Sequence, residues 1–439
     1  MIHAKKTMLT MALAAGTALT ANAQNNGSNS PYSRYGFGLL SDRAQGFNKG
    51  MSGLAYGMSN GKELNVKNPA SYAAIDSLTF LFDVGISLQK TNFKQGSNSV
   101  NANNTSLDYL SLGFRATKNL GVSIGMVPFS NIGYNLSREE DFQNAVGTTI
   151  TQTESYNGDG GLHEIYAGLG WSPCNRLALG FNAGYLWGSN KHTILASFSD
   201  ATIASRRRQY NSHISTYKVN VGVQYNIPIN KKNDLTLGAV YDLGHNIGSK
   251  ADYYDQKIMS GNITNGDTLS VDKAFQLPHS FGVGATWNHD NRLRVGMDYT
   301  FQKWSEVKYP TLQTQSGGRP SYVATKGGFT DLHKVTVGME YQHNANGIHW
   351  RDQVKYKAGF SYTTPYAKVD GVDGPRSYAA SVGVALPIIN PLNKRSVLNV
   401  SAHYERVEPQ FAGMVKENYF RISIGLTFNE AWFMKWKVE

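Results

Sequence analysis

The sequence predicts an all-β protein, a transmembrane antiparallel up-and-down β-barrel of about fourteen strands with an N-terminal plug (hatch) in its lumen. Three observations carry the prediction. Apolar and polar residues alternate at period two in about fourteen segments of about ten residues, the length a tilted membrane strand needs. The gaps between these segments are alternately short and long. The chain opens with an export signal, yet contains no later apolar run long enough to span a bilayer as a helix.

The signal consists of Lys5 and Lys6, an apolar stretch over 8–21, and the small-residue site Ala21-Asn22-Ala23. Its expected limits are 1–23, with cleavage after Ala23. No cysteine follows that site, which argues against a lipid anchor. The single cysteine, Cys174, excludes an internal disulfide framework. Frequent Gly (45) and Tyr (25) against only 13 Pro suit strands and tight turns. The formal net charge of +11 falls to +9 once Lys5 and Lys6 are removed. An exported chain with no basic nucleic-acid motif has no use for nucleic acid, so the excess is expected to face outer-membrane lipid and lipopolysaccharide.

Residues 24–77 form a leader and hatch segment. Its stretch 36–71 is rich in glycine and small residues, too polar to span a bilayer, too glycine-rich for a helix, and less polar than a disordered tail. Such a segment needs a container, which residues 78–428 supply. Strands are expected over 78–90, 107–116, 120–133, 162–171, 177–192, 215–229, 234–247, 279–287, 292–304, 332–342, 353–363, 378–386, 396–405 and 419–428. The ninth is the clearest: Leu293, Val295, Met297, Tyr299 and Phe301 share one face, and Arg294, Asp298 and Gln302 share the other.

Gaps after even strands are mostly short, such as 117–119 and 230–233. Gaps after odd strands are mostly long, such as 91–106, 134–161 and 193–214. A membrane barrel has this parity, with periplasmic turns at one end and outer loops at the other, and it puts both termini in the periplasm. Trp171, Trp187, Trp287, Trp304 and Tyr225 fall toward strand ends, where an interfacial aromatic belt would lie. Inward-facing Gly238, Gly282, Gly284, Gly338, Gly359 and Gly425 leave space in the lumen. The polar lumen positions include Arg294, Asp298, Lys334, Glu340, Lys357 and Arg421.

Pro128, followed by Phe129, lies within the third strand. Proline removes a ladder hydrogen bond, so either the strand ends at Val127 or the wall breaks locally and opens a sideways exit. Arg206-Arg207-Arg208, in the third long gap, reads as a solvated cluster bridged to lipopolysaccharide or as a recruiter of an anionic ligand. His163, His213, His279 and His403 lack metal-ligand spacing, and Ser401 with His403 comes with no nucleophile signature. No catalytic residue, cofactor or metal is expected, and the chain is not expected to be an enzyme. The tail over 429–439, with Trp432, Phe433, Lys435, Trp436 and Lys437, reads as a periplasmic interfacial anchor or a docking peptide.

The segment Gly50-Met51-Ser52-Gly53-Leu54-Ala55-Tyr56-Gly57, the triplet Asn68-Pro69-Ala70 just before the first strand, and the strand count together resemble the outer-membrane long-chain fatty acid transporter family (FadL-like). The resemblance spans nearly the whole mature chain. It implies that the pre-barrel segment plugs the lumen, with Gly53, Asn68, Pro69 and Ala70 in a gating hatch. It also implies that hydrophobic ligands bind inside and that a kink at Pro128 and Phe129 gives a lateral exit. The extra leader over 24–35, the tail and the charged lumen depart from that pattern. Two functions follow: passive uptake of hydrophobic, fatty-acid-like compounds across the outer membrane of a Gram-negative bacterium, or a non-transporting accessory subunit of an outer-membrane protein assembly or secretion complex, with outer-membrane or periplasmic protein partners.

Overall fold

The computed structural model describes residues 28–143, 147–313, 320–344, 347, 349–390 and 393–430. Both the signal (1–23) and the tail beyond residue 430 lie outside the described residues. Fourteen strands close a ring: β1 (Phe80–Gln95), β2 (Asn98–Thr117), β3 (Leu120–Gln143), β4 (Thr149–Cys174), β5 (Leu177–Phe198), β6 (Ser205–Asn230), β7 (Asn233–Asp242), β8 (Ser280–His289), β9 (Leu293–Gln302), β10 (Leu332–Gln342), β11 (Lys355–Thr363), β12 (Arg376–Asn390), β13 (Asn393–Glu408) and β14 (Lys416–Glu430). Each pairs antiparallel with its sequence neighbours, and β14 returns to β1 from Phe80 opposite Glu430 to Lys94 opposite Lys416. Closure pairs the first strand with the last, so the ring ends in no free outer strand.

The alternating pattern sorts the two faces as expected. On β9, Val295, Met297 and Tyr299 point out and are exposed, while Asp298 points in and is buried. Ile124, Leu169, Phe181, Val221, Leu237, Val283, Val337, Phe360 and Ile422 extend the exposed apolar face around the wall. In water this face would be a liability; against hydrocarbon it is the stable arrangement.

Four differences from the sequence reading have physical causes. The three long gaps 91–106, 134–161 and 193–214 are largely strand rather than loop, and β3 to β6 run for 24, 26, 22 and 26 residues. Beyond the apolar belt both faces of a hairpin meet water, so the ladder continues after the alternation that advertises it has stopped. Trp304 belongs to no interfacial belt: it is 1 % exposed and packs on Phe37 and Tyr366. Arg206, Arg207 and Arg208 lie in β6 rather than in a loop: Arg206, still exposed, meets Asp255, Arg207 donates to Gln256, and Arg208 lies 3.6 Å from Glu154 of β4.

The fourth difference concerns the N-terminal end. Residue 430 lies at the short-turn end, as expected, but the first described residues do not. Ser28 donates to the Gly133 carbonyl (3.2 Å) and Asn29 to Asn104 Oδ1 (2.9 Å), both in the long-loop halves of β3 and β2. From there the chain runs through the ring to β1. Loop parity reads only the strands, so it fixes the end where β1 starts and says nothing of the residues before it.

Candidate functional site: hatch, wall and gap

Residues 41–77 pack against inward-facing positions around the ring. Glycine makes the fit possible, since the inward positions expected to leave space are occupied by hatch backbone. A Cβ on Gly238 would collide with the Tyr56 carbonyl, one on Gly180 with the Pro69–Ala70 peptide, and one on Gly359 with the backbone of Met51. Gly425 would meet Gly46 Cα at 2.8 Å, and Gly383 would meet Gly50 Cα at 3.0 Å. The wall is smooth where the hatch touches it.

Polar wall groups then satisfy hatch amides and carbonyls that the irregular backbone leaves unpaired. Asp298 accepts from Ala55 N (2.6 Å) and Tyr56 N (3.0 Å). Lys357 donates to the Phe47 carbonyl (2.7 Å) and to Asn399 Oδ1, whose amide in turn donates to Glu63. Gln224 donates to the carbonyls of Tyr56 and Met58. Ser381 Oγ accepts from Ser52 N, and the Tyr109 hydroxyl accepts from Gly46 N.

The triplet Asn68-Pro69-Ala70 starts a short 3-10 helix (Pro69–Ala74) wedged against the glycines of β4, β5 and β6. Asn68 caps it, accepting from Ala70 N at 3.1 Å while donating to the Tyr56 carbonyl at 2.8 Å. Replacement by alanine should cost about 1–2 kcal/mol, a lost cap plus a partly unpaired carbonyl; a urea titration of the purified barrel in detergent should show the lower midpoint. Gly53 has φ +85°, and any Cβ there would lie 2.5 Å from Asp42 Oδ2. Only glycine fits that turn.

Ion pairs bind the hatch further. Arg43 reaches Glu164 (3.1 Å) and Asp242 (3.7 Å), and Lys218 reaches the same two carboxylates (3.1 and 3.5 Å). Asp42 lies between Lys334 (2.8 Å) and Lys67 (3.2 Å). Burial pushes the Asp42 carboxyl up, but the two ammonium groups outweigh it and hold the group well below the usual carboxylate range. Glu340 meets Arg294 and Lys355 at 3.5 Å and Lys357 at 3.7 Å. Arg421, by contrast, donates to Gln89 of the wall.

Above the hatch lies a cavity of about 960 Å³. Apolar atoms supply the larger share of its lining; charged groups reach it at Asp42, Arg43, Lys49, Asp108, Lys334 and Arg421, and Leu39, Leu40, Met126, Pro128 and Ile132 line one side. That side is a break in the wall. The β2–β3 ladder runs only from Thr117 opposite Leu120 to Leu110 opposite Met126; beyond it, of the fourteen barrel strands, β2 keeps only β1 as a partner and β3 keeps only β4. Pro128 stands two residues past the last pair. Phe129 has no counterpart on β4, since the register passes from Pro128–His163 to Ser130–Leu162. This bulge turns the Phe129 ring toward Lys218 Nζ, 5.8 Å from its centre.

The leader takes the ladder position that β2 vacates. Leu39 pairs with Asn131, Leu40 with Ser130, and Ser41 N donates to the Phe129 carbonyl. Phe37, fully buried, is enclosed by Phe275, Trp304, Tyr309 and Phe329 at ring distances of 5.6–6.5 Å. Sequence reading missed Phe37, Gln224, Ser381 and Tyr109. The leader run Pro31-Tyr32-Ser33-Arg34-Tyr35-Gly36-Phe37-Gly38 carried the available signal, because three aromatics among glycines are unusual in a segment with nothing to pack on.

A closed fourteen-strand ring with its own N-terminal segment packed inside defines an outer-membrane-type barrel of the FadL channel fold. The solved structures it resembles include the Pseudomonas putida toluene transporter TodX (15 % identity, 90 % of this chain and 100 % of that one, TM-score 0.59). Similar too are the Ralstonia pickettii toluene transporter TbuX (14 %, 89 % and 98 %, 0.58) and a Pseudomonas aeruginosa FadL homologue (13 %, 88 % and 97 %, 0.57). At such identities the likeness establishes the fold. No curated protein matches in sequence. The chain belongs to the BamG family, whose sequence profile matches residues 1–439.

Proposed function

We propose that the protein is a non-transporting accessory subunit of an outer-membrane protein assembly complex, exported by a cleaved signal and seated in the outer membrane of a Gram-negative bacterium among lipid and lipopolysaccharide. One observation carries the reading: the hatch is keyed to the wall around the ring, through glycines that admit its backbone and through Asp298, Lys357, Gln224 and Ser381, which hydrogen-bond it. A gate that moves would have to break these buried contacts together. On this reading Gly53, Asn68, Pro69 and Ala70 hold a permanent stopper. Membership of the BamG family, rather than a sequence match to a known channel, favours the same reading.

Passive uptake of hydrophobic compounds is the second reading, favoured by the wall break beside Pro128 and Phe129 and by the toluene transporters that share the fold. The charged groups that reach the cavity weigh against it, since an acyl chain there would strip water from them and return no hydrogen bond. Native purification in mild detergent separates the two. The protein should elute with stoichiometric protein partners and, once purified, take up neither palmitate nor toluene in proteoliposomes. A lone barrel with saturable uptake would reverse the assignment.

A further inference from the structure

We infer that the N-terminal leader, residues 28–41, is a cell-surface strap that seals this chain's own wall gap, which deepens the reading of a closed barrel and rests on it. The FadL-type break between β2 and β3 is present, but it is filled. Over residues 129–133 of β3, the hydrogen-bonding edge that β2 leaves unpaired is met by Leu39, Leu40 and Ser41 and then by Ser33, which accepts from Gly133 N at 3.2 Å. An unmet strand edge facing hydrocarbon is costly, so the strap supplies what the wall lacks.

Both ends of the strap are fastened from the long-loop side. At one end Ser30 donates to Glu417 (2.6 Å), with both residues buried, and Tyr32 donates to the Val415 carbonyl (2.5 Å). At the other, Phe37 is enclosed by aromatic rings, Tyr309 donates to the Gly36 carbonyl (2.7 Å), and Tyr366 donates to the Gly38 carbonyl. Arg34 stacks over Tyr156 at 4.5 Å. Gly36 has φ +59°, and a Cβ there would press into the Phe329 ring at 2.5 Å, so the turn that aims Phe37 admits only glycine. These anchors come from β14 and the β13–β14 connection before it, from the β9–β10 and β11–β12 connections and from β4, so the long-loop end holds the strap as a unit.

Two measurements test the strap. The first is its location. Asn29, which is exposed, is replaced by cysteine in a C174S chain, and intact cells are treated with a membrane-impermeant maleimide. Labelling should be as fast as after the outer membrane is permeabilised. Native Cys174, exposed in a short turn at the opposite end, should react only after permeabilisation. If Asn29→Cys also needs permeabilisation, the strap is not at the surface and the proposal fails.

The second is the seal. In the same C174S chain, Ser401→Cys, lining the cavity, is challenged with pyrene maleimide dissolved in the bilayer of proteoliposomes. The intact strap should keep this reaction slow, and deletion of residues 28–40 should speed it at least tenfold. Because the deletion may not fold, the full-length double variant Leu39→Asp, Leu40→Asp is measured alongside and should show the same rise. Equal rates in intact and folded strap-altered proteins would overturn the seal. Neither result depends on protein partners, so a failed purification of a complex would sink the accessory-subunit reading and leave the strap measured on its own terms.

Discussion

Valine at Gly180 and Gly238 together should abolish the folded barrel. The new Cβ atoms would fall on the Pro69–Ala70 peptide and on the Tyr56 carbonyl. Neither obstacle is the flexible end of a side chain. Overpacking against backbone belongs at the upper end of the usual range, about 3 kcal/mol per site, and the two sites press on different parts of the same hatch. On an unboiled gel the folded wild-type barrel is expected to run ahead of its boiled form, and in the double variant that faster band should be absent. Gly248→Val and Gly328→Val, where nothing lies within 4 Å of the added atom, should retain it. A folded double variant would show that the hatch can sit elsewhere, and would remove the main support for a fixed stopper.

Glu164→Gln is the second large effect. Its carboxylate is 1 % exposed and receives both Arg43, from the hatch, and Lys218, from β6. Neutralising it leaves two buried cations sharing Asp242, a loss of about 3–5 kcal/mol by the usual cost of breaking a buried pair. Lys218→Met in the same chain removes one of the stranded cations and should restore part of the loss. Urea midpoints for the two single variants and the double variant give the coupling directly. Equal midpoints for wild type and Glu164→Gln would mean that water reaches this network freely.

The wall was legible in the sequence and the interior only in part. Period two exposes a strand wherever one face meets lipid and the other meets water or the hatch, as over Leu293 to Phe301. It fails where both faces are wet, so the upper halves of β3 to β6 looked like loops. Inward glycines at 238, 359 and 425 could be counted from sequence, but whether they border empty space or a second stretch of backbone is a fact about packing that no local pattern encodes. Trp304 resembled its interfacial neighbours in spacing and differs only in having Phe37 beside it, some 270 residues away in the chain. Asn68-Pro69-Ala70 was marked in the sequence only by its FadL-like resemblance; that Asn68 caps the short helix Pro69–Ala74 is a fact of the structure.

The path of the leader also bears on the order in which this molecule can be made. Its first described residues lie at one mouth of the ring, its first strand starts at the other, and the segment between them occupies the bore. The chain is threaded through a hoop of its own making. A hoop that is already zipped from Phe80–Glu430 to Lys94–Lys416 leaves a bulky folded segment no way in, so threading must precede the closing of that seam. The part that precedes the barrel in the chain is thereby committed last: the hatch and leader wait for all fourteen strands, and the joint between the first strand and the fourteenth locks them in place.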